Sequence, residues 1–158
     1  MNVGALRIHD RHLTTDPPTA TEIAAATADV RAALDEAATV VPLARTATLV
    51  GVAGTVTTIT AHALQLPSYQ HERVDGAVLP IPEVLAAARD LVHRTSAQCA
   101  ALPYMQPGRE DVIGAGALVW TEVVERVVWE VASAGGKIEN VVTSEHDILD
   151  GIALSLAR

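Results

Sequence analysis

The sequence is poor in several residue types, and each shortage excludes something. Phenylalanine is absent, and aromatic residues make up only 3% of the 158 positions. The core must therefore be assembled from small aliphatic contacts, chiefly those of Ala, Val and Leu. A single cysteine, Cys99, excludes an internal disulfide and supports no cysteine-rich metal site, as suits a reducing cytoplasm. Lys137 is the only lysine, so no polybasic track for a long polyanion is visible. With 11 basic side chains against 19 acidic ones, the formal net charge is −8. That balance argues against a general nucleic-acid binder and against an anionic membrane surface as partner. No signal-peptide core opens the chain and no apolar run reaches membrane-spanning length. The expectation is a soluble, cytoplasmic protein.

What is present is the composition of a folded unit, 49% hydrophobic and 19% charged. The length suits one domain, or one lobe of a larger protein. The chain is organised around Thr48–His62. There a short apolar run leads into Gly51-Val52-Ala53-Gly54-Thr55, and a Thr-rich amphipathic segment follows. Apolar run, glycine turn and helix is how α/β proteins present backbone N–H groups to a phosphate. The first helical N–H groups have no internal partner and the helix dipole adds partial positive charge. Glycines at 51 and 54 allow φ > 0 and close approach of a ligand, and Thr55 and Thr57 can add hydroxyl donors. No Lys follows the second glycine, so this is not a Walker A loop. Two readings stay open: a phosphate-binding turn, or a structural turn where a helix packs tightly on a strand.

Met1–Ile8 alternates apolar and polar residues and reads as a short strand, with His9-Asp10-Arg11-His12 as a solvated turn rather than a metal site. Thr19 and Glu22 have capping-box spacing and open a helix to about Thr39, with Ile23, Val30, Leu34, Ala37 and Val41 as its buried stripe. Ala47–Val52 is the strand entering the glycine turn, and His62 in the helix beyond is a packed or surface histidine. Gln65–Val78 reads as a loop. A helix restarting at Pro80-Ile81-Pro82 carries Ile81, Val84, Leu85, Ala88, Leu91 and Val92, with Cys99 as a buried, inert thiol near its end.

Leu102–Gly108 is a second breaker-rich loop. Arg109-Glu110-Asp111 then opens the longest helix, through Val131, with Asp111 as its cap. Its buried stripe is Val112, Ile113, Gly116, Val119, Trp120, Val123, Val127 and Val131. Gly114 and Gly116 inside it let another backbone pass close by, and Gly135-Gly136 ends it. Ile138–Thr143 is a last strand, and Ser144–Asp147 caps a final helix bearing Ile148, Leu149, Ile152 and Leu156. Strand followed by helix, twice, implies crossover connections, parallel pairing and ligands at the carboxyl ends of the strands.

Three stretches occur in a fixed order: Gly51–Thr58, Arg109–Gly116 and Ser144–Gly151. Together they resemble the C-terminal lobe of the exopolyphosphatase and guanosine pentaphosphate phosphohydrolase family. Val3–Ile8 also resembles the strand that follows that family's phosphate-binding hairpin, so the similarity spans nearly the whole chain. The resemblance implies a three-layer α/β lobe of the actin-like, sugar-kinase and chaperone-ATPase superfold (ribonuclease H-like). Residues 1–158 would be a single, incomplete C-terminal lobe, lacking the catalytic N-terminal lobe and the phosphate-binding hairpin. It implies Mg²⁺-dependent release of terminal phosphate from polyphosphate, or of the 5′-phosphate of guanosine pentaphosphate. The Mg²⁺ ligands and the catalytic glutamate would then lie outside this chain.

The departures from the family pattern are specific. No Asp-x-Gly-Gly-Gly-Ser loop is present; Leu149 stands where Arg is common, and Asp150 where Glu is usual. What this chain can contribute is phosphate binding by Gly51, Gly54, Thr55 and Thr57, with Arg7 and Arg109 as cations. The expected partners are polyphosphate or a nucleotide, the missing N-terminal lobe and, as an open option, a second copy in a homodimer. The alternative is a non-catalytic phosphate- or nucleotide-binding module.

Overall fold

In the computed structural model, which describes residues 2–156, the chain enters on a helix: α1 covers Ala5–His12. The strand expected over Met1–Ile8 is not formed, and Met1 itself lies outside the described residues. Without a neighbouring strand, a helix satisfies the backbone groups of this segment internally. The Ile8 N–H donates to the Gly4 carbonyl at 3.0 Å, and Ile8 is fully buried in the main core. His9–His12 is accordingly the end of a helix and not a turn. There Arg11 and His12 both reach Asp29, at 2.6 and 2.8 Å.

α2 spans Ala20–Ala38 and opens on the expected capping box of Thr19 and Glu22. The Glu22 carboxylate also accepts from Thr14 and Thr15. These hydrogen bonds, that of the Thr14 hydroxyl first, hold its carboxyl well below the usual carboxylate range. Val30 and Leu34 are buried as anticipated. Val41 is exposed because the helix stops at Ala38, three residues short of it.

Three short strands form the sheet: β1 (Leu49–Gly51), β2 (Val78–Pro80) and β3 (Asn140–Thr143). Their order is β1-β3-β2, with β1 parallel and β2 antiparallel to β3. The parallel pair is the crossover that the strand-helix alternation implies. The one-turn helix α4 (His71–Val74) lies within the stretch read as a loop, and β2 begins at its last residue, Val78. Neither is long enough to show a period.

α3 (Ala53–Ala63) and α5 (Ile81–Val92) pack on the sheet, α7 (Ile113–Ser133) packs on both, and α1 and α2 pack on α7. The layers therefore stack on one face of the sheet. On the other, Val50 and Val78 are exposed.

Two boundaries differ from expectation. The helix after Pro80 breaks at His93, and α6 (Ser96–Ala100) begins with its own capping box of Thr95 and Gln98. Cys99 on α6 is buried, and that burial pushes its thiol up to about 11, so the inert reading stands. α7 starts at Ile113 behind Val112, which makes no side-chain cap, so Asp111 is not the cap.

The α7 stripe turns so that Ala115, Ala117, Leu118 and Val124 are buried while Val119, Trp120 and Val123 are half-buried. Gly114 does admit a backbone: a Cβ there would lie 3.4 Å from the Leu91 carbonyl oxygen of α5. Gly116 instead makes room for a side chain, because its Cβ would lie 2.5 Å from Thr55 Oγ1. The last helix, α8 (Ile148–Leu156), buries none of its residues.

Candidate functional site

The carboxyl ends of β1 and β3 lie side by side, with Gly51 opposite Thr143. Gly51 is there for packing. A Cβ would fall 2.6 Å from Val56 Cγ1 and 2.8 Å from the Trp120 ring. Its carbonyl accepts the Ser144 N–H at 2.9 Å, which locks the two strand ends together. The left-handed conformation expected of a glycine falls instead on Ala53, with φ 70°. For a residue with a Cβ this costs about 1–2 kcal/mol, and it turns the chain directly from β1 into α3.

α3 begins without a side-chain cap, behind Val52 in extended conformation. Among the described residues no side chain or loop carbonyl accepts from its first N–H groups. The Arg109 guanidinium lies against Gly54, where a Cβ would overlap it. Gly54, Thr55, Arg109, Val112 and Ile113 enclose a cavity of about 260 Å³, room for a phosphoryl group on the scale of ~30 Å³ per water molecule. Arg11, Arg31, Arg89, Arg94 and Arg126 each pair with a carboxylate. Arg109 has no such partner among the described residues, and it is half-buried. A guanidinium without a carboxylate beside an uncapped helix start has the chemistry to hold an anion.

The threonines of α3 have a different use from the one expected. Thr57 and Thr58 are buried and donate their hydroxyls back to the Gly54 carbonyl, at 3.2 and 2.7 Å. Thr60 and Thr143 share a buried hydroxyl bond of 2.6 Å that ties α3 to β3. β-branched residues tolerate a helix here because back-bonding and packing occupy their side chains. The Thr55 side chain leans towards Gly116 of α7. The structure thus gathers Gly54, Thr55 and Arg109 around one cavity, with Gly51 and Thr57 packed behind it. Arg7 is exposed on α1, outside the cavity lining.

Two further residues meet at these strand ends. The Tyr69 hydroxyl donates to the Glu145 carboxylate. Burial, and then that carboxylate, push the phenol up to about 12, against the opposing pull of Thr57 and Arg109. Glu145 is also fixed by its own N–H, which donates to Asp75 at 2.9 Å. Sequence reasoning did not single it out, although its place just after a parallel strand is a signal that could have found it. Tyr69 sits in a loop and carried none. A larger cavity, about 690 Å³, opens elsewhere, between α3, α5 and the loop after α6.

The model of the Ppx/GppA phosphatase family matches residues 1–145. The chain belongs to the Ppx/GppA phosphatase family. Exopolyphosphatase 2 of Mycobacterium tuberculosis is 42% identical over 156 residues, covering 99% of this chain and 47% of that protein. The crystal structure of an exopolyphosphatase-like protein superposes with a TM-score of 0.95 at 44% identity, over 98% of this chain and 48% of that one. The Aquifex aeolicus Ppx/GppA phosphatase, type II variant, shares the fold at a TM-score of 0.79 and 20% identity, over 98% and 47% of the two chains. The fold is thus that of the actin-like superfold. This chain spans about half the length of the curated relatives it matches.

The three stretches that carried the resemblance converge in space. Ser144 is bonded to Gly51, and Arg109 rests on Gly54. The two departures in the last stretch have visible consequences. Leu149, in place of the family's arginine, is exposed. The short Asp150 carboxylate accepts the Asp147 N–H at 3.0 Å and pairs with His146. It caps its own helix.

Proposed function

We propose that this chain is the phosphate-gripping lobe of an exopolyphosphatase-type hydrolase, which releases terminal phosphate from inorganic polyphosphate. The observation that carries the proposal is the unpaired Arg109 guanidinium over Gly54, at the uncapped start of α3. A terminal phosphate seated there meets backbone N–H donors on one side and a planar, charged fork on the other. Hydrolysis also needs a positioned water and a carboxylate to orient it. Glu145 accepts from the Tyr69 hydroxyl and lies 3.6 Å from His71, outside the residues that line the Gly54–Arg109 cavity. In this reading the water-orienting glutamate comes from the half of the relatives' length that this chain does not match.

Mg²⁺ belongs to the same proposal. One or two carboxylates together with phosphate oxygens and water are enough for that ion. The described residues hold no group of three His, Cys, Asp or Glu side chains that would bind a metal unaided, so no reaction step is assigned to it here. The 5′-phosphate of guanosine pentaphosphate presents the same terminal group and is the other substrate to compare. A cytoplasmic location and a homodimer are part of the proposal as well. No described helix is long and apolar enough to cross a membrane. That no carboxylate lines the Gly54–Arg109 cavity also favours a second reading, a phosphate- or nucleotide-binding module without catalysis.

The test is phosphate release from polyphosphate and from guanosine pentaphosphate with Mg²⁺, alongside tripolyphosphate binding. The expected result is binding without turnover by the 158 residues, and turnover when they are joined to the other half of a relative. Turnover by this chain alone would show that the catalytic carboxylate is already present. Binding without turnover in either form would favour the module. Absence of binding would remove Arg109 from the site.

A further inference from the structure

The loop between α6 and α7 carries Arg109 to the cavity, and its backbone is held by itself, by α6 and, through the Arg109 carbonyl, by the Ile113 N–H at 3.0 Å at the start of α7. The Leu102 N–H donates to Cys99 at 3.0 Å, that of Met105 to Leu102 at 3.0 Å and that of Arg109 to Gln106 at 3.2 Å. The Gly108 N–H donates to the Glu110 carboxylate at 2.7 Å. Among the described residues one side-chain hydrogen bond leaves this loop, between the Tyr104 hydroxyl and His62 Nδ1. Tyr104 is 4% exposed and packs with Ala61, Leu66 and Val74 in a small apolar cluster apart from the main core. Burial raises its phenol pKa, which keeps the hydroxyl protonated and able to donate.

The other ring nitrogen of His62, Nε2, lies 2.7 Å from Asp90 Oδ2 on α5. Arg94 Nε reaches the same oxygen at 2.5 Å. Burial opposes ionisation of Asp90, but the hydrogen bonds from Arg94 and His62 prevail and hold its carboxyl below the ordinary value. Asp90 therefore stays an acceptor and fixes the ring. His62 sits on α3, the same helix whose first turn presents Gly54 beneath Arg109. One rigid helix thus holds the floor of the cavity and, through His62, the loop that brings its cation.

We propose that His62 and Tyr104 are positioning residues that set the Arg109 guanidinium over Gly54 and so tune phosphate affinity without touching the phosphate. This rests on the phosphate-binding reading of the cavity. Tyr104→Phe keeps the buried ring and deletes the hydroxyl. In calorimetric titration with inorganic tripolyphosphate, it lowers affinity roughly fivefold, the equivalent of one neutral hydrogen bond. In an Arg109→Ala background the same substitution has no further effect, because the residue it acts through is gone. His62→Asn, which keeps a polar atom near the Nδ1 position, retains more affinity than His62→Leu.

Amide exchange without ligand reads the anchor directly: Tyr104→Phe speeds exchange at Met105–Val112 and leaves the first turn of α3 unchanged. Equal losses of affinity with and without Arg109 overturn the proposal, as does unchanged affinity. Failure of the parent chain to bind tripolyphosphate removes the phosphate reading and the tuning with it. Unchanged loop exchange removes the anchor whatever the binding result.

Discussion

At the end of β1 the chain turns into a helix whose first N–H groups meet no side chain of its own. At the end of β3 it turns into one whose start is filled by its own aspartates. The two strand ends are parallel neighbours, joined by the Ser144 N–H on the Gly51 carbonyl. At the second, the Leu149 N–H donates to Asp147 Oδ1 at 2.8 Å and the Asp147 N–H to Asp150 Oδ2 at 3.0 Å. α3 buries Val56 through Ala61, whereas α8 buries nothing and exposes Ile148, Leu149, Ile152, Leu154 and Leu156. Strand, turn and helix alone do not distinguish the two junctions. The first differs in an open helix start with a guanidinium laid over it, the combination that favours an anion.

Removing that cation is the strongest way to break the contrast. Arg109→Ala is expected to lower tripolyphosphate affinity by about ten- to a hundredfold, the range for charge-assisted hydrogen bonds. The melting temperature stays put, since no ion pair is lost. Titration calorimetry beside a melting curve reads both. An unchanged affinity would make the two junctions alike.

The two glycines of the first junction sharpen it next. Gly51→Ala forces a methyl against Val56 and Trp120 and is expected to cost about 1–3 kcal/mol by overpacking. Gly54→Ala meets only the movable end of Arg109 and gains helix propensity of up to about 1 kcal/mol. It should keep stability and lower affinity severalfold. Chemical denaturation with ligand titration separates them, and a reversal of the two effects would exchange the roles assigned to the glycines.

A third contrast sets α3 against the well-capped start of α2. The Glu22 carboxyl is held below its unfolded value of about 4.3. Its stabilisation is therefore complete above that value and drains away as pH falls towards the folded value. Glu22→Gln should flatten the fall in melting temperature on acidification, while phosphate affinity at neutral pH stays the same. A parallel fall in both proteins would remove Glu22 as the cause. The smallest effect belongs to the second junction. Asp147→Ala should fray α8, by about 1 kcal/mol of local stability, with faster amide exchange there and no change in the global melt. A global loss would mean that α8 is coupled to the core.

Much of this was legible before folding. The capping box at Thr19 and Glu22 is a four-residue event, and local chemistry determines it wherever the chain goes. β1, α3, α7 and β3 follow from apolar period and glycine punctuation, and the parallel pairing follows from their alternation. Other elements were not legible. Val3–Ile8 alternates like a strand, but Ala5–His12 forms a helix that buries Ile8 in the core, a contact no local pattern shows. β2 has three residues, too few to show an alternation. The threonines of α3 looked like ligand donors because a sequence shows hydroxyls but not their partners.

The sequence by itself determined the lobe, its family and the turn that the chain is built around. Those rest on short-range patterns and on the order of three stretches. Tertiary structure alone decided which members of that turn face the cavity and which pack behind it. Among the described residues it left Arg109, like the exposed Arg7, Arg45 and Arg73, without a carboxylate, and of these four it half-buried Arg109 alone. It also placed Tyr69 beside Glu145 across 76 residues and His62 beside Tyr104 across 42. Contacts at such separations depend on how helices pack around the sheet, and no local pattern encodes them.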